Sequence, residues 1–243
     1  MILLKCDNLK KHFPIRRGPF KEAVGSVKAV DGVSLSIGKG EIFGLVGESG
    51  CGKSTIGKIM LGLVKPDSGK IELETNKTQV IFQDPYNSLD PKMRIFDILA
   101  EGLILRNSRE GMKGRIEDVL DLARLPKTAL QKYPHQFSGG ERQRIAIARA
   151  IITDPEFIVC DEPVSSLDVT VQLQILDLLK GIQKKLSITY LFISHDLRVI
   201  RYMCSKVAVM RAGRIVEEGL VNQIYSSPQN SYTKSLISSI IDL

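Results

Sequence analysis

Lys53 and Ser54 follow three glycines, Gly47, Gly50 and Gly52, at the G-x-x-x-x-G-K-S spacing of a phosphate-binding loop. Glycines let a backbone wrap closely round phosphate groups, with N–H groups and a helix N-terminus turned toward the anion. A lysine at this place supplies a point charge for the β- and γ-phosphates, and the serine hydroxyl is a Mg²⁺ ligand. The apolar run 41–46 ahead of the loop and the helix-like stretch after it supply the strand and helix that the motif requires. Gly47, Glu48, Ser49, Gly50, Cys51, Gly52, Lys53, Ser54 and Thr55 are therefore candidate nucleotide-binding residues for a nucleoside triphosphate. An ordinary glycine-rich turn into a helix is the bland alternative, and the complete motif in its context argues against it.

A second chemistry-bearing run is Phe157-Ile158-Val159-Cys160 followed by Asp161 and Glu162. An apolar strand ending in two carboxylates places the first near a Mg²⁺ shell at a sheet's carboxyl edge and lets the second face an attacking water. A third is Ser138-Gly139-Gly140-Glu141, opening the helical stretch through Ile152. Ser138 and Glu141 have capping-box spacing. Glycine costs about 1 kcal/mol inside a helix, so Gly139 and Gly140 imply close approach of the backbone to another molecule, with the helix's positive end facing a second phosphate surface.

Elements to position these groups are legible. Alternation in 2–6 and 33–37 predicts a strand-rich N-terminal layer. Residues 71–73 and 80–82 read as short strands, and the apolar runs 157–160, 189–193 and 207–210 as strands buried on both faces. Ile175, Leu179, Ile182 and Leu186 fall on one face of a helix covering such a sheet. From about 91 to 155 the patterns are helical with no convincing buried strand, which predicts an inserted helical lobe, and a last helix follows the breaker Pro228.

The chain has 243 residues, 43% hydrophobic and 25% charged, enough for one α/β domain with a substantial core. No run approaches the roughly 18 apolar residues that span a bilayer, and the N-terminus has no apolar signal-peptide core, so a cytoplasmic protein is expected. Cys6, Cys51, Cys160 and Cys204 are scattered without a C-x-x-C pair and read as reduced thiols. The net charge of +7 admits nucleic acid, an anionic membrane or plain solubility. Locally Lys10, Lys11, Arg16, Arg17, Lys21 and Lys28 share a stretch with Pro14, Gly18, Pro19 and Gly25, read as a long hairpin or loop. Only Phe13 and Phe20 interleave with those charges, so a solvated charged loop is preferred over a nucleic-acid patch.

The order of P-loop, Gln83, Ser138-Gly139-Gly140-Glu141, Asp161-Glu162, Ser166-Leu167-Asp168 and His195 resembles the ATP-binding subunit of ABC transporters over essentially the whole chain. The segments 13–14 with the basic stretch through 34, 83–91, 161–169, and 227–228 to 232–233 resemble the oligopeptide, dipeptide and nickel importer subfamily. That resemblance implies a P-loop NTPase (RecA-like) α/β core with an N-terminal antiparallel β layer, at about 1–90 and 156–243, and an α-helical subdomain inserted at about 91–155, the whole of 1–243 forming one ATPase domain. It implies ATP and Mg²⁺ as cofactors, Ser54, Gln83 and Asp161 at the metal, and Glu162, His195 and Gln83 as catalytic groups. Glu162 would polarise water and His195 would hydrogen-bond the γ-phosphate. Gln83 would link the site to the helical lobe.

The resemblance further implies a head-to-tail dimer, mixed with a sister ATPase or formed of two identical copies. Each ATP is then sandwiched between one P-loop and the other subunit's Ser138, Gly139, Gly140 and Glu141. Asp168 has an inter-subunit role there and an equally good local one as a helix N-cap. Phe13 is the candidate for stacking on adenine, against the alternative of a core phenylalanine. Two transmembrane permease subunits are implied as partners at the cytoplasmic face of the membrane, with an extracytoplasmic substrate-binding protein engaged indirectly and no nucleic acid. Glu141 stands where many relatives have Gln, and the cysteine-bearing extension of some members is not seen after Thr233, so no iron–sulfur cluster is expected. A soluble ABC ATPase acting on DNA or ribosomes is disfavoured for lack of a second cassette or coiled-coil insertion, and a P-loop kinase by Ser138-Gly139-Gly140-Glu141.

Overall fold

The computed structural model describes residues 1–17, 22–106 and 110–241. In chain order these form β1 (Ile2–Arg17), β2 (Glu22–Gly38), β3 (Ile42–Val46), α1 (Lys53–Met60), β4 (Ser68–Leu73), β5 (Thr78–Ile81), α2 (Pro85–Ser88), α3 (Ile95–Leu105) and α4 (Met112–Leu122). There follow α5 (Gly139–Ile151), β6 (Phe157–Asp161), α6 (Val169–Leu186), β7 (Thr189–Ser194), α7 (Leu197–Met203), β8 (Lys206–Arg211), β9 (Arg214–Leu220), α8 (Val221–Ser226) and α9 (Ser231–Ile241). The chain divides into two compact units, one of Met1–Asn76 with Thr189–Leu243, the other Lys77–Ile188. Among the described residues no helix is long and apolar enough to cross a membrane.

In the first unit β1 pairs antiparallel with β2 on one side and β4 on the other. Leu4, Cys6, Leu9, Val33, Leu35 and Ile37 are buried, while Lys5 and Asp7 face out. Cys6 and Leu9 would point to opposite faces of a regular strand. A register shift lies between them, with Asn8 at φ 47, and returns Leu9 to the core. The basic N-terminal stretch is thus a hairpin far longer than the alternation in 2–6 implies; Gly18, Pro19, Phe20 and Lys21 lie outside the described residues.

The same unit holds strands in the order β7-β3-β8-β9. β3 runs parallel to β7 and β8, and every residue of β3 and β7 is buried, as a sheet covered on both faces demands. Gly44 leaves room for α7: a Cβ there would sit 3.1 Å from both Ile200 Cγ2 and Cys204 Sγ. β9 is antiparallel to β8. The two-residue turn Ala212-Gly213, with φ of 45 and 83, has the left-handed conformation of a tight hairpin.

In the second unit β5 and β6 pair in parallel, Thr78 opposite Phe157 and Ile81 opposite Cys160. β5 stops at Ile81, one residue short of expectation, and Phe82 is exposed. The described residues between 91 and 155 hold α3, α4, α5 and two short 3₁₀ turns. α6 buries Ile175, Leu176, Leu178, Leu179 and Ile182, but Leu186, expected on that face, is 39% exposed beside the C-cap Ser187.

Candidate active site

β3 hands the chain to the P-loop from the middle of a parallel sheet. Val46 is level with Ser194 on β7 and Val209 on β8, so the loop and His195, next after β7, leave the sheet at one carboxyl edge, where α/β sheets bind ligands. Two glycines are dictated by neighbouring backbone. A Cβ at Gly47 would lie 2.1 Å from the Met210 carbonyl oxygen, and one at Gly52, at φ 109, 1.9 Å from that of Ala29. No side chain larger than hydrogen fits at either place.

The turn joining β8 to β9 braces this loop. Gly213 donates its N–H to the Cys51 carbonyl at 3.0 Å, and its own carbonyl accepts from Asp31 N–H at 2.8 Å. Arg214 then donates twice to the Asp31 carboxylate, at 3.0 and 2.7 Å, and holds that carboxyl below its usual range. None of these supports was read from the sequence. The turn pair Ala212-Gly213 is not one of the Asn-Gly or Asp-Gly pairs that mark a hairpin in sequence.

α1 begins at Lys53 with Gly52 as its N-cap and no side-chain cap, so the helix's first amides are not taken by a capping side chain. Lys53 is only 4% exposed, and its ammonium donates to the Gly47 carbonyl at 2.8 Å and the Glu48 carbonyl at 2.9 Å. A buried cation held by neutral carbonyls beside an uncapped helix end is a site for an anion. Cys51 is buried in the same loop, and burial pushes its thiol above the ordinary value while the Lys53 charge pulls the other way. Alkylation of Cys51 is therefore expected to be slow at neutral pH, to accelerate as pH rises through and beyond the ordinary thiol range, and to abolish ATP binding once stoichiometric. Peptide mass spectrometry paired with a nucleotide titration checks this; undiminished binding by fully modified protein refutes it.

Phe13, on β1 opposite Val27, is 41% exposed with the Lys11 ammonium 5.6 Å from its ring centre. It is not a core phenylalanine, and its open face can stack on a base.

In the second unit β6 is buried through Cys160 and ends at Asp161. Glu162 has φ 50, left-handed backbone that costs a non-glycine residue about 1–3 kcal/mol. Its carbonyl accepts from Ser165 N–H at 3.3 Å and Ser165 Oγ at 3.2 Å, which closes the turn. Gln83 is exposed beyond the end of β5, and its carbonyl accepts from Ser166 Oγ at 3.4 Å. Asp168 caps α6, accepting from Val171 N–H at 3.0 Å, so its local role is realised.

Ser138 caps α5 with the complete reciprocal box: Glu141 accepts from Ser138 N–H at 2.9 Å and Oγ at 2.8 Å, and Glu141 N–H donates back to Ser138 Oγ at 3.3 Å. These bonds lower the Glu141 carboxyl below its usual range. The two glycines have different causes. A Cβ on Gly140 would meet Val171 Cγ1 at 2.6 Å, so that glycine is required for packing α5 on α6 within the chain; one on Gly139 would meet only Leu167 at 3.4 Å, ordinary contact. Packing within the chain therefore accounts for Gly140 and not for Gly139.

Arg142, one residue past the box, is 7% exposed, donates to the Pro134 carbonyl at 2.8 Å and lies 3.8 Å from the ring centre of Tyr86 on α2. Arg149 donates to the Ser88 carbonyl. The segment after Gln83 is therefore clamped to α5 by two arginines that spacing alone did not single out.

The family model described as ABC transporter matches residues 30–165. The oligopeptide transport ATP-binding protein OppF of Lactococcus lactis is 49% identical over 257 residues, covering 98% of this chain and 80% of that protein. The dipeptide transport ATP-binding protein DppF of Haemophilus influenzae is 43% identical, covering 97% and 77%. Among solved structures, the dimeric post-hydrolysis state of the ATP-binding cassette MJ0796 bound to ADP and Pi superposes with a TM-score of 0.75 at 26% identity, covering 90% of this chain and 98% of that one. With more than half of its length matched by the family model and relatives at this identity, the chain belongs to the ABC transporter family, whose cassettes bind and hydrolyse ATP.

Proposed function

We propose that this chain is the ATP-hydrolysing subunit of an importer for short peptides, acting at the cytoplasmic face of a membrane on two permease subunits. The observation that carries the nucleotide part is Lys53, a buried ammonium resting on two loop carbonyls at the uncapped start of α1. Peptide as cargo rests on relatives named for oligopeptide and dipeptide transport. Nickel remains the alternative within the resembling subfamily.

The γ- and β-phosphates of ATP lie on the P-loop, Lys53 follows their charge, and Phe13 stacks on the base. Among the described residues there is no group of three or more His, Cys, Asp or Glu side chains able to cage a metal. The oxygen donors expected from the resemblance, Ser54, Asp161 and Gln83, are too few to cage a metal and suit instead a hard cation that keeps water and phosphate ligands, as Mg²⁺ does. Bound there, Mg²⁺ would neutralise phosphate charge. Glu162 orients the water and takes its proton, and His195 hydrogen-bonds the γ-phosphate.

In our reading two cassettes close head to tail, Ser138, Gly139 and Gly140 of each facing the other's ATP, with Glu141 and Asp168 at the same junction. The dimeric form of the related cassette supports this arrangement. Residues of about 91–155 act as an inserted helical subdomain, and 83–91 carries the state of the γ-phosphate to the permeases. A sister ATPase is the expected second cassette, and an extracytoplasmic binding protein delivers the peptide.

The test is reconstitution in lipid vesicles with the permease subunits that co-purify with the chain. ATP-dependent peptide uptake, stimulated by a peptide-loaded binding protein, is the expected result. Uptake of Ni²⁺ without peptide uptake reassigns the cargo, and salt-sensitive DNA binding without transport overturns the importer reading.

A further inference from the structure

The P-loop is held from one more side, by the C-terminal helix. The Glu48 N–H donates to the hydroxyl of Tyr232, near the start of α9, at 3.3 Å. Tyr232 is 7% exposed, and the Arg211 guanidinium lies 4.7 Å from its ring centre. Arg211 ends β8, next to Met210, whose carbonyl forbids a side chain at Gly47. The tyrosine is itself anchored. Its own N–H donates to Asn230 Oδ1 at 2.9 Å, and the Gln229 and Asn230 amides donate to the Glu217 carboxylate of β9 at 2.7 and 3.1 Å.

Glu48 is the residue through which this anchoring reaches the phosphate-binding lysine. Its carbonyl accepts from Cys51 N–H at 3.3 Å and from the Lys53 ammonium at 2.9 Å, while its N–H is taken by Tyr232. One peptide thus ties the lysine and the loop's first turn to α9.

We propose that Tyr232 is a positioning residue for nucleotide binding: through the Glu48 N–H it holds the first turn of the P-loop, and with it the resting place of Lys53, in the shape that receives phosphate. The ring packs under Arg211 and supplies bulk and a cation–π contact. The hydroxyl alone supplies the acceptor. Removing the hydroxyl while keeping the ring should leave α9 docked and free the Glu48 peptide to rotate. The inference rests on the nucleotide-binding reading for its consequence, although the loop's mobility can be followed without nucleotide.

The experiment compares Tyr232→Phe with Ser235→Ala in the full chain. Ser235 lines the same cavity of about 400 Å³ as Tyr232, Glu48 and Arg211, and its hydroxyl donates to the Ser231 carbonyl within α9. Two quantities are read: the rate at which N-ethylmaleimide modifies Cys51 in nucleotide-free protein, followed on its peptide, and the Kd for ATP. For the loss of the hydroxyl's bonds to the Glu48 N–H and side chain the expected change in Tyr232→Phe is about threefold or more in each, faster modification and weaker ATP binding. Ser235→Ala should match the wild type in both, and all three proteins should melt together. An unchanged Cys51 rate in Tyr232→Phe overturns the proposal, as does a change that appears only with a lowered melting midpoint. If the wild type binds no ATP, the nucleotide reading fails, and the Cys51 rates still decide whether Tyr232 holds the loop.

Discussion

In the Glu162→Gln variant ATP hydrolysis should fall by about 10²–10⁴-fold, the range that a positioned general base contributes, while ATP still binds and accumulates in closed dimers. The substitution preserves length and volume and removes the carboxylate's charge together with its capacity to take a proton. The backbone at Glu162 is left-handed and its turn is closed by Ser165 through the main-chain carbonyl, bonds that the substitution leaves in place. Loss of activity without loss of fold is then the signature of a chemical role. Phosphate release at saturating ATP gives the rate, and size-exclusion chromatography with ATP and Mg²⁺ gives the dimer. Turnover close to that of the wild type would remove Glu162 from the mechanism, and ATP-loaded protein that stays monomeric would remove the proposed sandwich.

Lys53→Met should weaken ATP binding by about 10²-fold or more. Truncating one partner of a buried hydrogen-bonded charge pair costs about 2–5 kcal/mol, and each 1.4 kcal/mol is a factor of ten in Kd. The nucleotide-free fold should suffer less. There the ammonium meets the neutral carbonyls of Gly47 and Glu48 and, at 3.9 Å, the Cys51 sulfur, neutral contacts worth about 1 kcal/mol or less each, and methionine retains most of the apolar stem. A titration calorimeter measures the binding and thermal melting measures the fold. ATP affinity that stays within threefold of wild type would show that the loop amides bind phosphate without the lysine.

The chemistry of this protein was legible because it is local. A phosphate cradle needs glycines, a lysine and a hydroxyl within a few residues of one another, so Gly47 to Ser54 announce it in linear order. The caps were equally legible: Ser138 with Glu141, and Asp168, each bond to an amide three residues away. Buried strands such as β3, β6 and β7 declared themselves as unbroken apolar runs. β9 did not, because it is an edge strand whose residues are half-exposed and carry the acidic pair Glu217 and Glu218. That the N-terminal stretch is continuous strand rather than loop was hidden by its bulges, since a register shift at Asn8 breaks the alternation that marks a strand.

What sequence could not convey is why particular residues are forbidden or required by distant ones. Gly47 and Gly52 are demanded by the carbonyls of Met210 and Ala29, and Gly140 by Val171. The Arg142 contact with Tyr86, the turn at Ala212-Gly213 under Cys51, and Tyr232 on Glu48 join positions far apart in the chain. Residue types and spacing by themselves determined that this protein carries a triphosphate cradle and a pair of carboxylates at a strand end. Only the folded chain decided how rigidly the cradle is held, because steric exclusion and hydrogen bonds between remote segments leave no periodic or spaced signal in the sequence.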